Sequence, residues 1–150
     1  MRLRTYARIL FLGAVFGFLV NKFVVRPRLL RLVAPAWVET LSYSIPNFFE
    51  AVMGMTIVAA GLTTMRDNVE RLESVGDRTV YAFAAVLSGA YVITQELGFH
   101  SLGGNNVVDS KDVGASIAGL VLMVGLFFRY GLLQQAGGGL PGGGADGESA

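Results

Sequence analysis

Apolar residues fall into four blocks, each about 20 residues long, the length a helix needs to cross the hydrocarbon core of a bilayer. They cover residues 6–25, 45–64, 79–98 and 113–130. Polar or glycine-rich stretches separate them. "RPRLLRLVAPAWVE" carries Pro27, Pro35 and three arginines, "MRDNVERLESVGDR" is polar throughout, and "GFHSLGGNN" is turn-forming. The pattern predicts an all-α fold: a membrane bundle of four transmembrane helices over residues 1–135. From Ala136 onward, "AGGGLPGGGADGESA" predicts a disordered Gly-rich C-terminal tail. Between the first two blocks, Leu29, Leu30, Leu32, Val33 and Trp37 are interspersed with Arg26, Arg28 and Arg31. This suits either an interfacial helix with Trp37 at headgroup depth or an ordinary loop. Arg2, Arg4 and Arg8 before an apolar run imitate a signal peptide. The run is long for one, and Asn21-Lys22-Phe23 stands where small residues would mark cleavage.

Composition agrees with the periodicity. Of 150 residues, 53% are hydrophobic and 15% charged, with a mean hydropathy of +0.54. Soluble domains carry about 25% charged residues. A net charge of +1 leaves no basic face for nucleic acid once the membrane flanks are counted. The absence of cysteine excludes disulfides, thiolate nucleophiles and thiolate-held metals. No nucleophile elbow, HExxH pair or phosphate loop occurs, and the glycine runs at 137–144 lie in the tail. The sequence thus names no cofactor and no metal, and its evident partner is the lipid bilayer.

Four alternating spans put both termini and the 65–78 loop on one side. That side carries Arg2, Arg4, Arg8, Arg66, Arg71, Arg78 and Arg129. The other carries Lys22, Arg26, Arg28, Arg31 and Lys111. The excess of basic residues places both termini in the cytoplasm, although the cluster in the first loop argues the other way. Alternation also gathers four carboxylates at the non-cytoplasmic end. Glu50 lies about one and a half turns inside the second span. Glu96 closes the third, and Asp109 and Asp112 open the fourth.

Helical phase aligns Glu50 with Gly54, Ile57 and Gly61, and Glu96 with Val92, Gly89 and Ala85. It aligns Asp112 with Ser116, Gly119 and Met123, and Gly13 with Gly17 and Asn21. Small residues favour close helix contact in membranes. Each acid is therefore expected on its helix's packing stripe, where an intramembrane ionisable group belongs. Ser44 suits an N-cap and Pro46 a helix start. Asn47 and Glu50, three apart, then face one region. The expected polar site comprises Glu50, Glu96, Asp109 and Asp112 with Asn47, Gln95 and Ser116.

Glu50 and Glu96 suit proton binding, cation coordination or acid–base work, because clustered carboxylates perturb one another. The alternative is a buried acid paired with a basic or amide group. Asp109 and Asp112 also fit as caps favoured by the helix dipole, worth about 0.3–1 kcal/mol. His100 reads as a solvated loop residue, with a metal role as the alternative. Tyr81, Tyr91 and Tyr130 read as packing or interface anchors.

The spacing "QEL", then N-x-x-x-D-x-x-D-x-x-x-S-x-x-G, resembles the VanZ-like family of small polytopic membrane proteins. Glu96 matches the family's helix-terminal Glu. Asp109 and Asp112 match its paired acids, Ser116 its Asn position and Gly119 its Gly. "PNFFE" resembles the Pro-containing start of an earlier helix in relatives. Ser116 departs from the usual Asn, Gln95 precedes Glu96 where relatives have a Gln after the Glu, and Asn105 or Asn106 occupies the region of a loop Arg. The match covers about 25 residues closely and the rest only in topology. It implies a prokaryotic integral membrane protein of the cell envelope with a polar cluster at one face. The name-giving member is associated with glycopeptide resistance, especially to teicoplanin, a phenotype the spacing does not transfer. Three functions follow as expectations. The first is an accessory protein binding an envelope lipid, envelope precursor or cation. The second is a membrane enzyme using carboxylate acid–base or metal-assisted chemistry on a lipid-linked substrate. The third is a structural subunit of a homo- or hetero-oligomer.

Overall fold

A computed structural model describes residues 2–29, 35–96 and 110–134, with side chains at all of these except Arg2, Gln95, Glu96, Ser110 and Gln134. Strand β1 (Arg2–Leu3) leads into helix α1 (Thr5–Val20). A π-helical segment, Asn21–Val25, joins α1 to α2 (Arg26–Leu29), so Thr5–Leu29 forms one rod. Helix α3 (Ala36–Asn68) ends near a 3₁₀ turn at Glu70–Leu72. Helices α4 (Asp77–Glu96) and α5 (Ser110–Tyr130) follow, and strand β2 (Leu133–Gln134) closes the described chain. Three of these helical stretches are long and apolar enough to cross a membrane: Thr5–Leu29, Ala36–Asn68 and Lys111–Tyr130. The tail expected from residue 136 lies outside the described residues.

Helix α3 is the central element, packing against α1, α4 and α5. It runs parallel to α5, because Ser44 meets Asp112, Asn47 meets Ser116, and Ala51 lies close to Gly119. Helix α4 runs antiparallel to both, placing Tyr81 against Phe127 and Gly89 against Leu120. At the end where α1 begins and α5 finishes, β1 pairs antiparallel with β2, Arg2 opposite Gln134 and Leu3 opposite Leu133. The four rods therefore alternate in direction. Residues 2 and 134 share one end, and Glu50 lies toward the other.

The core is built from small and mid-sized side chains: Ala7 and Ala14 on α1, Val52, Met55 and Ala59 on α3, Val80, Tyr81 and Ala84 on α4, and Met123 and Phe127 on α5. The outward faces of the rods stay apolar, with Ile9, Phe16, Ile57, Val86 and Val121 all more than half exposed. A greasy exterior around a small-residue core is the arrangement lipid favours, since helices in a bilayer associate through close packing.

Two expectations need correction. The second apolar block does not begin at residue 45. Helix α3 starts at Ala36, and the carbonyl of Pro35 accepts the N–H groups of Val38 and Glu39 at 2.9 and 3.2 Å. Trp37 therefore sits in the first turn of a long helix. At 33 residues, α3 is about 50 Å long, well beyond the roughly 30 Å that one crossing of a hydrocarbon core needs. Ser44 is consequently not an N-cap, and Pro46 lies inside the helix.

The packing stripes are also rephased. On α3 the buried line is Ala51, Val52, Met55, Thr56, Ala59 and Thr63, whereas Ile57 and Gly61 face outward. Gly13, Gly54 and Gly61 approach no neighbour that a Cβ would touch. On α1 the line runs through Ala7, Ala14 and Asn21, with Gly17 against Phe49. On α5 the expected face holds, with Ser116, Gly119 and Met123 all buried.

The end carrying the strand pair is tied by tyrosines. The N–H of Leu132, which is fully buried, donates to the Tyr81 hydroxyl at 2.9 Å. The Tyr6 hydroxyl donates to the Gly131 carbonyl, and the Arg4 Nε to the Leu133 carbonyl at 3.2 Å. Gly131 makes this turn with φ +70°, in the left-handed region that glycine enters without cost. Tyr81→Phe leaves the Leu132 N–H buried without a partner and is expected to destabilise the fold by about 1–3 kcal/mol. Tyr130→Phe, at a mostly exposed ring, should leave the thermal unfolding midpoint in detergent unchanged.

Candidate functional site

One cavity of about 210 Å³ opens where α3, α4 and α5 meet. Asn47 and Glu50 face it from α3, Ser88 and Tyr91 from α4, and Ser116 from α5. Ala51, Gly54, Val58, Leu87 and Val92 supply its apolar walls. Helical spacing explains the grouping: Asn47, Glu50, Ala51, Gly54 and Val58 recur at three and four residues and so share a face. The volume exceeds what these side chains fill because Ala51, Gly54 and Ser88 are small.

The polar groups of this cavity are unevenly satisfied. The Ser116 hydroxyl donates to the Asn47 carbonyl at 3.4 Å. Ser88 is only 4% exposed, and its hydroxyl has no hydrogen-bond partner among the described residues. Nearly all buried polar groups are paired, so an orphan on a cavity wall marks a place that a bound group would complete. Glu50 is half-buried and forms no ion pair among the described residues. The charges that act on it are those of Lys22 and Arg26, on the rod that packs across the other flank of α3.

A second polar layer lies about one turn closer to the helix ends. The Ser44 hydroxyl donates to the Asp112 carboxylate at 2.8 Å, joining α3 to α5. Lys111 Nζ donates to the Thr40 hydroxyl at 3.4 Å. Asp112 occupies the first turn of α5, where its charge also complements the helix dipole. Asp112 thus sits where an N-terminal acid is favoured, as its reading as a cap expected, and it also accepts a hydrogen bond from α3.

Arg26 joins this layer through a proline. Pro46 has no N–H, so the Ser42 carbonyl four residues earlier loses its helical donor, and the ring crowds that turn. Arg26 supplies a donor in its place, Nε to the Ser42 carbonyl at 3.3 Å, and its Nη2 also donates to the Tyr43 carbonyl at 2.9 Å. Its guanidinium stacks over the Tyr43 ring at 4.8 Å. Asn21, in the π-helical segment preceding Arg26, is buried, and its side-chain oxygen has no donor among the described residues.

Of the residues expected at the site, Asn47, Glu50 and Ser116 line the cavity and Asp112 borders it from the layer above. Gln95 and Glu96 belong to the last turn of α4, four residues beyond Tyr91 and Val92. Asp109 and His100 lie outside the described residues. No group of three or more His, Cys, Asp or Glu residues able to hold a metal occurs among the described residues. Ser88, Tyr91 and Arg26 were not anticipated. The spacing Ala84-Ser88-Val92 was legible as a small-residue face, but the glycine-based phase placed the face one residue away. No family model, no curated protein and no solved structure matches the chain.

Proposed function

We propose that this chain is a multi-pass membrane protein of the cell envelope that crosses the bilayer four times, with α4 as the fourth span and both termini cytoplasmic. Its work is to bind a small headgroup or cation in the Glu50 cavity. The VanZ-like spacing of Glu96, Asp109, Asp112, Ser116 and Gly119 supports an accessory role in envelope chemistry. The observation that carries the reading is a carboxylate facing a cavity inside an apolar bundle, beside a buried hydroxyl with no partner. Ionisable groups inside membrane helices are costly and mark ligand or ion paths. Acid–base catalysis is the second reading. It is less favoured because the nearest described carboxylate, Asp112, is already held by Ser44.

The test is complementation of a deletion strain scored for envelope lipids and antibiotic sensitivity. Glu50→Gln keeps the side chain's shape and is expected to behave as the deletion while accumulating to the wild-type level in the membrane. Full complementation by Glu50→Gln would contradict the proposal. A variant that fails to accumulate would point instead to a structural subunit.

A further inference from the structure

The cavity allows the ligand to be named by chemistry. We infer that it takes a primary ammonium group, held by the Glu50 carboxylate, the Ser88 hydroxyl and the Asn47 side chain. The inference rests on the binding role proposed for Glu50.

Three features point this way. First, the polar groups present suit a donor. A primary ammonium carries a positive charge and three N–H donors, and no acceptor. Glu50 offers a charged acceptor, and the Ser88 oxygen has vacant lone pairs. The Asn47 side-chain carbonyl is a third acceptor on the same wall. Second, the donor set is poor for a metal ion. A calcium ion takes about six to eight oxygens and magnesium demands a near-ideal octahedron. Among the described residues a single carboxylate lines the cavity, the rest being neutral, and they hold no metal-binding cluster. The aliphatic walls instead suit the methylenes next to an amine, and Tyr91 adds an aromatic ring, which attracts ammonium groups. Third, the size is that of a headgroup. About 210 Å³ equals the liquid volume of about seven waters, below the usual range for whole drug-sized ligands. Such a group reaches the cavity from the bilayer as the headgroup of an aminophospholipid, or from water as a free amine.

Lipid nanodiscs and native mass spectrometry test this on the full chain. Wild-type protein is equilibrated with equal parts phosphatidylethanolamine, phosphatidylcholine and phosphatidylglycerol, and retained lipids are counted. Phosphatidylethanolamine is expected to be retained over phosphatidylcholine, whose quaternary nitrogen has no N–H. Glu50→Gln should reduce that preference at least about tenfold, the scale of a lost charge-assisted hydrogen bond. Ser88→Ala should reduce it less, and both variants should keep wild-type helix content. Competition by ethylammonium with no lipid preference would assign the free amine as the source and still support the inference. Equal retention of phosphatidylethanolamine and phosphatidylcholine, with no effect of ethylammonium, overturns the ammonium assignment. If Glu50→Gln also fails complementation in that case, the binding role survives with another ligand. If it complements fully, both fall.

Discussion

Gly119→Ala is expected to destabilise the bundle by about 1–3 kcal/mol, and Gly119→Leu to prevent α5 from docking on α3. A Cβ built on Gly119 would lie 2.7 Å from the Phe48 carbonyl oxygen and 3.1 Å from the Ala51 Cβ. The first of these atoms is helix backbone and has no rotamer by which to withdraw, so the two helices must part. Gly114 and Gly125, on the same helix, would place a Cβ within 4 Å of nothing. Alanine there should be neutral or stabilising by about 0.5–1 kcal/mol, because glycine is a poor helix former. Gly17→Ala falls between the two. Its Cβ would meet the tip of the Phe49 ring, which can swing aside. Because Gly119 lies three residues past Ser116, parting the helices also opens the cavity. Gly119→Ala should therefore weaken ligand retention along with the thermal midpoint, whereas Gly114→Ala should lower neither.

The second large effect is a coupling. Arg26→Met removes the donors serving the Ser42 and Tyr43 carbonyls and should cost about 1.5–3 kcal/mol, the value of hydrogen bonds from a charged group. In a Pro46→Ala background the Ser42 carbonyl regains a helical N–H, and the same Arg26→Met change should cost little. The double-mutant cycle isolates the pairing, with an expected interaction of about 1–2 kcal/mol. Additive losses would show that Arg26 acts through its contacts with Tyr43, the carbonyl and the ring, rather than through Pro46.

The sequence made the rods visible and hid how they meet. Four apolar blocks of helical length announced α1, α3, α4 and α5, and alternation correctly brought the two ends of the described chain together, as the pairing of β1 with β2 shows. The start of α3 was misread because Ser44 and Pro46 carry the local marks of a helix start. The Ser42 carbonyl that Pro46 leaves without its helical donor is met by Arg26, twenty residues earlier, and no local signal announces that pairing. The stripes were misphased for a related reason. Glycine fits any face, so Gly13, Gly54 and Gly61 suggested contacts that alanines and threonines make instead. Among the described glycines, only Gly17 and Gly119 would place a Cβ closer than 3.4 Å to a neighbour. Within the candidate site, the acids stood out as rare charges in an apolar chain. Ser88 did not, since a serine among alanines draws notice only once its hydroxyl is found buried without a partner.

Glu50, Ser88 and Ser116 border one cavity toward the end away from residues 2 and 134, and a true crossing by α4 sets that end on the far side of the membrane from the loop before α4. The chain has no cysteine, so single substitutions report their side of the membrane directly. Ser74→Cys, in the loop before α4, and Gly103→Cys, between α4 and α5, are labelled with a membrane-impermeant maleimide in intact and in permeabilised cells. Four crossings predict that Gly103→Cys labels in intact cells and Ser74→Cys only after permeabilisation. Labelling of both positions from the same side would contradict the account.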